Sequence, residues 1–102
     1  MRERIVRFRK SKRKGKKYEA TVEDLRTRKQ RKIHFGASDY EQFKDSTPLK
    51  LYAHKNHGTV KRRRNYFNRH SGTPTKGKAV ALEKRRSRGK YNAKILSHIY
   101  LW

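Results

Sequence analysis

Apolar positions in the first third of the chain recur at short, strand-like intervals between basic turns. Ile5, Val6 and Phe8 favour a first strand, Lys14-Gly15-Lys16 reads as a turn, and Tyr18-Glu19-Ala20-Thr21-Val22-Glu23 alternates as a second strand. Arg26-Thr27-Arg28-Lys29-Gln30 forms the next turn. Alternation returns in Arg31-Lys32-Ile33-His34-Phe35, with Ile33 and Phe35 on one face and Lys32 and His34 on the other. Gly36 ends it. The pattern predicts a three-stranded antiparallel meander across residues 3–35.

From residue 37 the spacing turns helical. Ser38 is placed to cap a short helix with Glu41 as its capping-box partner, and Tyr40 and Phe43 are expected to pack. Thr47-Pro48-Leu49 is a second start signal, because proline at the first helical position lacks a donor that would be unpaired there anyway. Leu49, Leu51, Tyr52 and Ala53 would supply a buried turn. His57-Gly58-Thr59 then caps a helix over residues 60–70, anchored by Phe67 and closed by Gly72 in a left-handed C-cap. Arg62, Tyr66 and Arg69 lie towards another side of this helix, together suited either to phosphate contacts and stacking or to a solvated basic face beside a core aromatic. Residues 71–79 combine turn formers with lysines and predict an exposed loop, and Ala81 to Arg88 is so basic that its helicity would depend on a partner. Asn92 can cap a last helix in which Ile95, Ile99 and Trp102 share one side.

The expected fold class is therefore α+β: one small domain over 1–102, with a basic β-meander at 1–36, short helices at 37–72, a basic loop at 73–91 and an aromatic C-terminal helix at 92–102. Composition makes that fold marginal alone. Of 102 residues 31% are apolar, 38% are charged and the formal net charge is +23, so self-repulsion opposes compaction. Ordering costs roughly 1–2 kcal/mol per residue, and much of it is expected to be met by partners. Absence of cysteine excludes disulfides, thiolate catalysis and Cys-based zinc sites and favours an intracellular setting. No apolar run approaches a membrane span, and the basic start leads into no apolar signal segment.

Chemistry is harder to find. His54 and His57 are the closest histidine pair among five, but no cysteine or neighbouring acid completes a metal shell. Surface or partner-facing histidines are expected instead. The eight acidic residues are expected in salt bridges, and no nucleophile elbow, Walker loop or nucleotide fingerprint occurs. The chain thus reads as non-enzymatic, with no catalytic residue, cofactor, metal or small-molecule substrate. Its charge asks for nucleic acid, an anionic lipid surface or an acidic protein face. Candidate contacts are Arg2, Arg4, Arg7, Arg9, Lys10, Lys12, Arg13 and Lys14 in the N-terminal arm and Arg62, Arg63, Arg64, Tyr66 and Arg69 in the central helix. Candidate packing anchors are Phe35, Tyr40, Phe43, Phe67, Ile95, Ile99 and Trp102.

One arrangement is more specific than composition: His34-Phe35-Gly36, then Tyr40-Glu41-Gln42-Phe43-Lys44-Asp45, then Arg62-Arg63-Arg64-Asn65-Tyr66-Phe67-Asn68-Arg69-His70, and a Tyr100-Leu101-Trp102 end. It resembles small basic proteins of nucleocytoplasmic large DNA viruses, including chlorella-virus and mimivirus relatives. The likeness covers residues 31–102, with an R-R-x-x-Y-x-x-R-H pattern counted from Arg62 and Asn56 standing where an H-x-D acid would be. It implies a virion location, after intracellular assembly in the host, as a minor capsid protein cementing major capsid and other capsid proteins or the inner membrane. The alternative is a nucleic-acid binder that condenses viral DNA or behaves as a small ribosomal-type protein. Attachment of residues 2–17 to an anionic membrane is compatible with the first.

Overall fold

The computed structural model describes all 102 residues. Strands β1 (Glu3–Lys10), β2 (Lys16–Asp24) and β3 (Gln30–Ala37) form an antiparallel sheet in the order β1-β2-β3. Helices α1 (Val60–Ser71), α2 (Lys76–Arg86) and α3 (Ala93–Tyr100) follow a long connection that holds one 3-10 turn, Ala53–Lys55. The α+β architecture is the expected one. No helix is long and apolar enough to cross a membrane.

The first strand solves a parity problem. Ile5 and Phe8 are three residues apart, so strict alternation would turn them to opposite faces, yet both pack on the core. A bulge between Ile5 and Arg7 absorbs Val6: Ile5 pairs with Val22, Arg7 with Thr21 and Phe8 with Ala20. Tyr18, Ala20, Val22, Ile33 and Phe35 make the inner face, closed by Leu96 and Leu101 from α3 and the residue that caps it. A smaller cluster joins Tyr66 and Phe67 of α1 to Ala79 of α2, and Trp102 packs against both clusters. Gly36, with φ +79°, is the point of closest approach: a Cβ there would lie 2.8 Å from Leu101 Cδ1.

The connection after β3 departs from expectation. Residues 38–43 are not helical, because Gln42 N–H donates to Lys55 O and His57 N–H donates to Gln42 O, a bridge that pairs across the loop the groups a helix would pair internally. Tyr40 is consequently 72% exposed and anchors nothing. Thr47-Pro48 opens no α-helix either. Asp45 captures Thr47 through both its amide and its hydroxyl, Lys50 adopts φ +50°, and Leu49 and Leu51 are left exposed. Buried Asp45 also accepts from Tyr18 OH and from Tyr52 N–H, fastening the loop to β2. Burial alone would raise the Asp45 carboxyl, but these donors hold it below the ordinary carboxylate value. Burial and that carboxylate push Tyr18 up to about 12.

Helix α1 runs as predicted, with Gly72 left-handed at its end, although Thr59 at the N-cap makes no side-chain cap bond. The expected loop at 73–91 is mostly helix. Ala79 is fully buried against α1, Glu83 accepts from Ser71 Oγ at 2.7 Å, and Lys76 Nζ donates to Ile99 O at 2.9 Å, so α2 is fixed by neighbours distant in sequence. In α3 Asn92 caps Ile95 N–H as expected. Its buried residues are Ile95, Leu96 and His98, whereas Ile99 is half-buried and belongs to neither cluster. A helix held between two apolar clusters buries a broader face than a single stripe.

Candidate polyanion interface

The outer face of the sheet is built by alternation. Register places Arg4, Glu23 and Gln30 in one row, Arg7, Thr21 and Lys32 in the next, and Arg9, Glu19 and His34 in a third. The central strand holds both carboxylates and the flanking strands hold the cations, so Glu19 and Glu23 lie covered beneath longer side chains. Arg4 Nε donates to Glu23 at 2.8 Å, Arg28 stands 3.4 Å from the same carboxylate, and Lys32 is 3.8 Å from Glu19. Hydrogen bonds from Arg4 and Gln30 lower the Glu23 pKa. Arg7, Arg9, Lys10, Lys12, Arg13 and Lys14 are exposed and enter no ion pair. No Phe, Tyr or Trp stands in these three rows, and their one imidazole, His34, is held by Ser11 at 2.7 Å.

The other proposed contacts scatter. Arg2 is exposed, and its backbone pairs with Gly89 O at 2.8 Å. Arg62 is tied to Glu41 at 3.0 Å, Arg63 lies 4.4 Å over the Phe43 ring, and Arg64 is exposed. Tyr66 corrects the sequence reading: it is 7% exposed and stacks on Trp102 at 4.2 Å, so it cannot offer a surface to a polyanion. Phe35 and Phe67 are fully buried, Ile95 likewise, while Phe43 and Trp102 are half-buried. Lys17, in the most basic stretch of the sequence, is also internal. Its ammonium donates to Tyr40 O at 2.7 Å and Gln42 Oε1 at 2.6 Å, and burial brings its pKa down to about 8.

A buried polar chain links the three helices. Ser71 Oγ donates its single proton to Glu83, so it must accept from His98 Nε2 at 2.8 Å, and His98 Nδ1 then accepts from Tyr66 OH at 2.8 Å. His98 is fully buried, and burial lowers its pKa to about 4. Serine, histidine and glutamate are thus adjacent, but in the wrong order for nucleophilic catalysis. The histidine donates to the serine instead of accepting its proton, and the serine is only 6% exposed. The network explains why α2 forms: it supplies the acceptor at which the chain of donors ends.

At the hairpin end of the sheet lies a cavity of about 600 Å³. Lys16 and Gly36 of the sheet, Arg69 of α1, Lys94 and Ser97 of α3, and Trp102 contribute to its lining. Of these cations Arg69 was expected to bind a partner; Lys16 and Lys94 carry no local signal that would have singled them out.

A family model matches residues 6–70, described as a family of unknown function, DUF5754. This is more than half of the chain. The chain belongs to DUF5754. The match takes in β1 from its bulge residue, all of β2 and β3, the Asp45-centred loop and α1 as far as His70. DUF5754 therefore includes the strands that the viral resemblance, over residues 31–102, left outside. No curated protein and no solved structure matches the chain.

Proposed function

We propose that this chain is a non-enzymatic polyanion-binding protein that grips nucleic-acid phosphates through the outer face of its sheet and the β1–β2 hairpin. The carrying observation is the set of unpaired cations, Arg7 and Arg9 on the face and Lys12, Arg13 and Lys14 at the turn, on a three-stranded support. Of the aromatic residues, Phe35, Phe67 and Tyr66 are spent inside. A face of arginine without Phe, Tyr or Trp contacts phosphates and does not stack bases, so sequence preference would be weak. Fluorescence anisotropy of a labelled duplex across a salt series tests this. Neutralising about six phosphates gives a slope of log K on log salt near −5, and Arg7→Gln with Arg9→Gln reduces its magnitude by about 2. Binding that ignores salt, or a slope unchanged by the double substitution, would sink the reading.

A second reading makes the chain a minor capsid or cementing component of a large DNA virus, held in the virion against capsid proteins or an anionic membrane. It rests on the resemblance over residues 31–102 and on the exposure of Tyr40, Leu49 and Leu51 in the Asp45-centred loop. Fractionating purified particles over a salt series distinguishes the two, since a shell contact made by these apolar side chains persists at high salt while phosphate contacts dissociate.

A further inference from the structure

The cavity at the hairpin end of the sheet is separate from the three cationic rows, and its chemistry is different. Lys16 and Arg69 have no carboxylate partner, and Lys94 reaches Glu83 only at 4.0 Å. The one acid in the lining, Glu41, is bound to Arg62 at 3.0 Å. Cations outnumber acids in the lining, with Lys16 and Arg69 unpaired and Lys94 shared between Glu83 and the His70 carbonyl, an excess of positive charge whose repulsion an anion would relieve. Burial first, then Arg69 and Lys94, lowers the His70 pKa, in keeping with a positive potential at this wall. Leu101 and Trp102, the latter backed by the Tyr66 ring stacked on it, add apolar surface to the lining. Tyr40 stands in the lining, 72% exposed as a residue and with no aromatic partner of its own.

We propose that this cavity binds a single nucleoside phosphate, with Lys16, Arg69 and Lys94 on the phosphate and Tyr40 against the base. Inorganic phosphate would leave the apolar surface and the exposed tyrosine without a counterpart, whereas a nucleotide supplies an anion and a π-face together. The volume is in the range of small-ligand pockets. The same unit arises as a free nucleotide or as the phosphorylated end of a strand.

Trp102 is the only tryptophan and lines the cavity, so its fluorescence reports occupancy. Titrating the full chain with AMP should give a saturable change that adenosine does not reproduce. Arg69→Gln and Lys94→Gln should each weaken AMP about tenfold, and Tyr40→Ala should weaken AMP while leaving competition by inorganic phosphate unchanged. These side chains are exposed, so thermal unfolding of the variants should match the parent. If a strand end is the source, a 5′-phosphorylated oligonucleotide binds more tightly than its 5′-hydroxyl counterpart, and Arg69→Gln with Lys94→Gln removes the difference. If a free nucleotide is the source, the two oligonucleotides bind alike while AMP still saturates. No saturable change with AMP or with the phosphorylated oligonucleotide, equal binding of adenosine, or indifference to Arg69→Gln and Lys94→Gln would overturn the proposal. Arg7→Gln with Arg9→Gln leaves the AMP titration intact if the cavity is a separate site, so failure here and failure of duplex binding are told apart.

Discussion

Protonating His98 would put a charge on a fully buried ring and turn Nδ1 from the acceptor of the Tyr66 hydroxyl into a second donor facing it. The folded-state pKa is depressed to about 4 from 6.5, so the unfolded chain takes up this proton first. Its stabilisation is complete above about pH 6.5 and is lost as the pH falls through 4. The shift corresponds to at most about 3 kcal/mol. Urea unfolding at steps from pH 7.5 to 4 should show stability declining through that window, and His98→Gln, which cannot titrate, should flatten much of the decline. A variant that keeps the whole slope would assign it to His57 and His70 and, towards pH 4, to the Glu3 and Asp45 carboxylates, whose pKa values the fold also lowers. That His98 is internal could not be read locally. Helical spacing selects Ile95, Ile99 and Trp102, but the helix is held from two sides, and its buried histidine is satisfied by Tyr66 and Ser71, 32 and 27 residues away. Lys17 was equally opaque, since its partners Tyr40 and Gln42 lie beyond a whole strand.

Strands β1 to β3 and helices α1 and α3 were legible because their signals are local: alternation, Gly15 and Gly72 at positive φ, and Asn92 as a cap. The 38–57 loop and α2 were not, because Asp45 answers to Tyr18 of β2 and Glu83 to Ser71 of α1. The cationic rows of the sheet follow from parity once the bulge is known, and the bulge makes a sharp prediction. Removing Val6 restores plain alternation: Ile5 still meets Val22, Arg7 still meets Thr21, and Glu3 keeps its side of the strand beside Arg31. Deletion of Val6 should therefore preserve the fold at a cost of about 1 kcal/mol, the loss of one half-buried side chain. Deletion of Thr21 from the central strand has no such refuge. It would throw Tyr18 and Ala20 to the wrong face and should abolish folding. Denaturant unfolding followed by circular dichroism compares the two, and equal damage from both deletions would contradict the bulge.

Thirty-one cations against eight acids fold into a body with a radius of gyration of 13.4 Å and a longest extent of 41 Å. At about 0.01 M salt the Debye length is roughly 30 Å, so nearly every charge feels every other, whereas at about 0.15 M it is roughly 8 Å and repulsion is confined to neighbours. Salt should accordingly raise the melting temperature, steeply at first and then little. The ion pair of half-exposed Arg31 with buried Glu3, at 2.8 Å and completed by Tyr91 N–H at 2.7 Å, is screened less than a fully exposed pair. A duplex should stabilise the same protein in the opposite sense. Its contribution grows with occupancy of the folded state and fades as salt competes for the phosphates. Melting curves recorded from 10 mM to 500 mM salt, with and without duplex, should therefore converge from above and below. The free protein climbs, the complex falls, and the curves meet where binding ends. A free protein whose melting temperature is flat or falls with salt would mean that self-repulsion does not limit its stability. The net charge of +23 would then cost the fold little, and a duplex would raise the melting temperature only by binding the folded state.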